Sequence, residues 1–124
     1  MAASDERVRE VVADYLRLVE TGTADQITAL FADDATLEDP VGSEVRRGAE
    51  AIREFYATIE PLPTRTRLVE LRVVAGTAAF HFELVTRPEG MTVTVAPIEV
   101  MTFDDDGRIV SMRAYWGEAD MRLA

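Results

Sequence analysis

Three side chains in this 124-residue sequence combine a chemistry-bearing type with a position that a small domain would normally give to its core. The first is Asp39, in the stretch Asp33-Asp34-Ala35-Thr36-Leu37-Glu38-Asp39-Pro40-Val41-Gly42. Successive side chains of an extended strand point to opposite faces, so Ala35, Leu37 and Asp39 share one face while Thr36 and Glu38 share the other. The apolar pair points Asp39 inward. An aspartate at the inner end of a strand, ahead of a proline that cannot donate a ladder hydrogen bond, suits a proton acceptor in a pocket. It also reads as a plain strand-end or turn carboxylate, since Asp before Pro is an ordinary turn signal.

The second is Glu99. Along the run from Met91, the odd positions Met91, Val93, Val95, Pro97, Met101 and Phe103 are apolar and Glu99 stands among them, so parity makes it a core-facing acid. A bulge at Pro97 that slipped the register by one residue would turn it outward. Facing inward, it would be kept neutral by desolvation and would donate a hydrogen bond at neutral pH. The third is Tyr15, in the middle of a helical apolar stripe, where its hydroxyl is either tied to backbone or aimed into a cavity. One tyrosine and two carboxyls on apolar faces together suit acid–base chemistry. Enolisation beside a carbonyl needs a carboxylate base near the carbon acid and donors at the oxygen where negative charge develops.

Several elements must position these groups. Ser4 caps a first helix whose first turn holds Asp5 and Glu6, favourable against the helix dipole. Val8, Val11, Val12, Tyr15 and Val19 recur at helical spacing until Thr21-Gly22 ends the stripe. Thr23 and Gln26 form a capping-box pattern that opens a short second helix through Ile27, Leu30 and Phe31. The Asp39 stretch follows as a short strand, and Ser43 to Gly48 is a polar link. A third helix places Ile52, Phe55, Tyr56 and Ile59 on one face until Pro61-Leu62-Pro63 stops it. The period then changes to two, with strands near 65–75, 77–87, 91–104 and 108–117 separated by turns at Gly76, Pro88-Glu89-Gly90 and Asp106-Gly107. Ala78, Phe80, Phe82 and Leu84 face inward on the second of these strands, and Val110, Met112, Ala114 and Trp116 on the last. The expected fold is a single α+β domain over residues 1–124. In it a conical, curved, mostly antiparallel sheet is covered by three N-terminal helices and left open at a mouth.

Composition narrows the function classes. The net charge is -10, with no cysteine and one histidine, His81. Such acidity argues against nucleic acid and anionic membranes as partners. Disulfides, thiol nucleophiles and histidine-rich metal sites are excluded. No apolar run reaches the length of a membrane span, and no leader pattern precedes the first helix, so a soluble cytoplasmic protein is expected. His81 has the opposite parity to Phe80 and Phe82 and belongs on the surface or at an interface. Asp104-Asp105-Asp106-Gly107 is a turn that lacks the further spaced ligands of a metal loop.

Longer motifs carry a resemblance. Tyr15-Leu16-Arg17-Leu18-Val19-Glu20 and Phe31-Ala32-Asp33-Asp34-Ala35-Thr36-Leu37-Glu38-Asp39-Pro40-Val41-Gly42 come first. Phe55-Tyr56, Ile98-Glu99-Val100-Met101 with Phe103-Asp104, Gly107-Arg108-Ile109 and Ala114-Tyr115-Trp116 follow. In this order and near-family spacing, over about nine tenths of the chain, they resemble bacterial ketosteroid isomerase, within the wider nuclear-transport-factor-like superfamily. The resemblance implies a cofactor-free, metal-free homodimer that moves the double bond of a 3-oxo-Δ5 steroid into conjugation. Asp39 would be the base, and Tyr15 and Glu99 the donors to the steroid oxygen; a carboxylic acid held neutral for this purpose is a known property of that family. Tyr56 would hold Tyr15, and Phe55, Phe80, Phe82, Met101 and Trp116 would line the steroid slot. Well-known members carry aspartate where this chain has Glu99, and the extra methylene moves the carboxyl outward by about 1.5 Å. Some carry tyrosine at the position of Phe31, so here only Tyr56 would stand behind Tyr15.

Two other readings fit the same fold. A polyketide cyclase would enlist a pocket histidine, and an epoxide hydrolase a water held by an Arg/Asp network for which Arg65 or Arg67 would have to serve. A non-catalytic module would use the cone to hold an apolar ligand or a peptide.

Overall fold

The computed structural model describes residues 2–124. Helix α1 (Asp5–Thr21) starts where the Ser4 side chain accepts from the Arg7 amide, and its buried stripe includes Val8, Val11, Val12, Tyr15 and Val19. Helix α2 (Ala24–Thr28) carries the Thr23/Gln26 capping box. It ends earlier than its apolar residues suggest. Strand β1 (Phe31–Glu38) already begins at Phe31, because the Leu30 carbonyl accepts from the Ile109 amide and draws the chain into the sheet. The polar link contains a two-residue strand, β2 (Arg46–Arg47), paired antiparallel with β1. Helix α3 (Ala49–Ala57) buries Ile52 and Tyr56.

The remaining strands are β3 (Thr64–Val74), β4 (Thr77–Thr86), β5 (Val93–Val95), β6 (Ile98–Phe103), β7 (Ile109–Tyr115) and β8 (Met121–Leu123). They form one curved, mostly antiparallel sheet in the order β2-β1-β7-β6-β4-β5-β8, with β3 on the other side of β4. Among the described residues the β1–β7 pair alone is parallel. Helices and inner sheet face share one core in which Val8, Leu37, Ile52, Phe80, Met101 and Met112 are fully buried.

Three features depart from the four-stranded meander read from sequence. The segment expected as one strand over 91–104 is two, broken at Ala96-Pro97. There the Ala96 amide leaves the ladder for the Asp120 carbonyl, while the Pro97 carbonyl accepts from the Phe82 amide. Strand β8, unforeseen, extends the sheet beyond β5. At the start of β7 a register shift opposite Thr102/Phe103 turns Ile109 into the core and leaves Val110 half-buried. Among the described residues no helix is long and apolar enough to cross a membrane.

Candidate active site

The strand lattice decides which side chains meet. Glu99 is the second residue of β6, with Phe80 of β4 and Ala114 of β7 as its register neighbours. The break at Pro97 preserves the inward parity, and Glu99 is only 3% exposed. Its Oε1 is buried and has no hydrogen-bond partner among the described residues. Burial pushes its pKa well above the usual carboxylate range, the negative charge of Asp39 adds to this, and the Tyr15 hydroxyl offsets part of it. Burial thus favours the neutral acid form of Glu99, which keeps an unused polar atom. Leaving such an atom unsatisfied costs about 1–3 kcal/mol.

Asp39 lies one residue beyond β1, joined to Pro40 by a cis peptide. Glu38 braces its turn: Oε1 accepts from Arg113 Nε at 3.0 Å and Oε2 from the Gly42 amide at 2.8 Å. Gly42 has φ +100°, a conformation that a side chain would strain. The Gly42 amide, then Arg113, hold the Glu38 pKa below its ordinary value. The Val41 amide donates to the Ala114 carbonyl at 2.8 Å, fastening the turn to β7. Because β1 and β7 are parallel, with Glu38 opposite Arg113, the chain ends that carry Asp39 and Trp116 emerge side by side. Trp116 Nε1 donates to Asp39 Oδ1 at 2.8 Å. Asp39 is half-buried, and desolvation raises its pKa while the Trp116 hydrogen bond and the Arg46 charge oppose the rise.

The helices contribute the phenols. Tyr15 of α1 and Tyr56 of α3 have their hydroxyls 2.9 Å apart and their rings edge to face at 6.1 Å. Burial, and next the charge of Glu99, raise the pKa of both well above the ordinary phenol value. Both remain protonated donors at neutral pH. Phe31 packs its ring 6.1 Å from that of Tyr56 and carries no hydroxyl, so the pair has no third member on that side.

All four polar side chains line one cavity of about 180 Å³. Tyr15, Tyr56, Glu99 and Phe82 are buried at its floor, whereas Asp39, Phe55, Ile59, Leu84, Val95 and Trp116 are half-buried towards the rim. Phe80 and Met101, expected in the slot, are not among the lining residues. Both are fully buried in the core, Phe80 packing its ring 5.5 Å from that of Phe82. Leu84 lines the cavity by the inward parity of β4, and Val95 and Pro97 were read from sequence only as members of an apolar face. The sequence carries no signal for the donor role of Trp116. His81 lies opposite Ile98 and Glu70, on the outer face with them. Arg65 is exposed and Arg67 pairs with Glu83 at 3.0 Å, so neither enters the cavity. No group of three or more metal-ligating side chains occurs among the described residues.

A curved, mostly antiparallel sheet whose hollow is roofed by three helices is the architecture of the nuclear-transport-factor-like class. Within it the chain belongs to the SnoaL-like domain family, whose family model matches residues 12–112. Steroid Delta-isomerase of Nocardioides simplex is 49% identical, over 92% of this chain and 93% of that one. Epoxide hydrolase LasB of Streptomyces lasalocidi is 29% identical over 98% of this chain, which spans about half (51%) of that protein. Among solved structures, the epoxide hydrolase/cyclase-like enzyme SalBIII, from pyran ring formation in the polyether salinomycin, superposes with a TM-score of 0.91 at 29% identity, covering 98% of each chain. RV0760c from Mycobacterium tuberculosis superposes at 0.90 with 23% identity, covering 98% of this chain and 99% of that one, and speaks for the fold alone.

Proposed function

We propose that this protein is a steroid delta-isomerase that needs no cofactor. Asp39 removes a proton from the carbon between the ketone and the alkene of a 3-oxo-Δ5 steroid and returns it to the far alkene carbon. A dienolate lies between the two transfers, and Tyr15 and Glu99 donate hydrogen bonds to its oxygen. The observation that carries the reading is the buried, unpartnered Glu99 Oε1 at the floor of a cavity that holds a half-buried carboxylate nearer its rim. A neutral acid needs an acceptor there, and a carbonyl oxygen gaining negative charge is a better acceptor than the ketone it came from. The 49% identity to an isomerase of this name supports the same assignment. Phe55, Phe82 and Trp116 supply the apolar walls for a flat hydrophobic ligand.

The test is the absorbance of the conjugated enone as it forms, for the natural protein and Asp39→Asn. Turnover should fall by on the order of 10²- to 10⁴-fold in the variant, with affinity for a product analogue retained. No enone from the natural protein would sink the isomerase reading and shift the same acid pair to epoxide opening, the activity named for two relatives.

The protein works as a homodimer in this reading. Ile98 and Tyr115 are register neighbours on the outer sheet face and are 48% and 43% exposed, an apolar pair that a second copy would cover. Sedimentation should show a dimer for the natural chain and a monomer for Ile98→Asp.

A further inference from the structure

Arg46 belongs to the shortest strand of the sheet, in a link that carries no motif. The register sets it opposite Leu37, two residues before Asp39. Its guanidinium carbon lies 5.2 Å from the centroid of the Phe55 ring, and that ring lines the cavity. The negative face of an aromatic ring attracts a cation, so Phe55 holds the charge beside the pocket. The ion pairs among the described residues engage Arg17, Arg53, Arg67, Arg72 and Arg113, and Arg46 is in none of them.

The groups around Asp39 come from five places in the fold. Trp116, beyond β7, donates to it, and the charge of Arg46 acts on it from β2. Glu99 of β6, Tyr15 of α1 and Tyr56 of α3 feel its charge. None of the last three carries a positive charge, so Arg46 supplies the cation that acts on the base. A half-buried carboxylate in such company drifts towards its protonated form, in which it accepts no proton.

We propose that Arg46, clasped over the Phe55 ring by the short β1–β2 ladder, is a positioning residue that acts with the Trp116 hydrogen bond to favour the ionised Asp39 carboxylate, and so helps to set the lowest pH at which the base works. This rests on Asp39 being the base of the isomerisation proposed above. During that reaction the negative charge leaves Asp39 for the steroid oxygen at the cavity floor, towards Glu99 and away from Arg46. Arg46 therefore stabilises the resting carboxylate more than the dienolate. Its removal should slow the reaction in acid, where Asp39 is then protonated, and leave the alkaline plateau unchanged or raised.

The experiment is a carbon-13 titration of the carboxyl groups in the natural protein, Arg46→Met, Arg46→Gln and Arg46→Lys, with the Asp39 resonance identified by its loss in Asp39→Asn. The midpoint of Asp39 should move to higher pH in both neutral variants and stay near the natural value in Arg46→Lys. The displacement should shrink in about 1 M salt, where the screening length falls to about 3 Å. On the acid limb, each unit of displacement lowers kcat/KM about tenfold. A midpoint unmoved in the folded Met or Gln variant, or moved equally by Lys, overturns the proposal, as does a rate loss of the same size at every pH. Thermal unfolding of each variant identifies the folded ones. If the natural protein formed no enone, the reaction reading would fall, and the titration would still decide for or against Arg46.

Discussion

Asp39 and Glu99 bring the same functional group into one cavity from two kinds of backbone. Glu99 is inside a strand paired on both sides, with Phe80 and Ala114 as its register neighbours, and no donor reaches its Oε1. Asp39 is past a strand end, where the chain is free to turn and where other ends converge. Trp116 from beyond β7 and Arg46 from β2 both act on it. Desolvation raises both pKa values, but only Asp39 has partners that oppose the rise from two sides. The contrast suggests a general arrangement: burial between two paired strands favours the protonated form of an acid, and a turn past a strand end gives room for partners that favour the charged form.

The comparison breaks most visibly at Glu99. Replacing it by Leu should lower kcat on the order of 100-fold with little loss of product-analogue binding, since a donor to the developing oxyanion is lost. Glu99→Gln keeps a donor and should lose only part of this. Full activity in Glu99→Leu would remove the residue from the mechanism.

A second effect sharpens the contrast through stability. The unfolded chain ionises Glu99 near the ordinary value of about 4.3, whereas the folded chain keeps it protonated to higher pH. Between those points the native state holds the extra proton, so unfolding free energy falls by about 1.4 kcal/mol per pH unit. The contribution is fully present below the unfolded value and is lost as pH rises towards the folded one. Glu99→Gln carries no such loss. Urea unfolding should show the variant gaining on the natural protein as pH rises from about 4 towards the raised folded-state value, and a constant difference would contradict a protonated Glu99.

The smallest effect concerns Trp116. Trp116→Phe removes the indole donor that opposes desolvation of Asp39, so the acid limb of kcat/KM should move to higher pH with a modest change in the plateau. An unmoved limb would mean that the 2.8 Å contact does not favour the charged form.

Parity made the inward placement of Glu99, Phe82 and Leu84 legible in the sequence, because β4 and β6 run unbulged through those positions and each residue inherits its neighbour's face. Caps and turn residues gave the helices and the β3–β4 hairpin for the same local reason. The rest depended on pairing between distant segments. Two- and three-residue strands such as β2 and β8 show no period, and only their partners define them. The Ala96-Pro97 break is hidden because apolar residues continue on both sides of it. Phe80 and Met101 share the parity of the cavity wall, and parity alone does not separate a wall from the core behind it. Trp116 was legible as a wall but not as a donor, since its contact follows from the parallel register of β1 and β7. Arg46 left no signal in its polar link, where charge looks like ordinary solvation.

The Ala96-Pro97 break also divides labour along one segment. Before it, β5 joins β8 and builds the rim; after it, β6 carries Glu99 at the floor. Length changes at 88–92 or 117–120 are therefore absorbed on the rim side, and the pairings of Glu99 with Phe80 and Ala114 keep their register. The entrance can be resized by evolution or by design while the floor of the cavity keeps its arrangement.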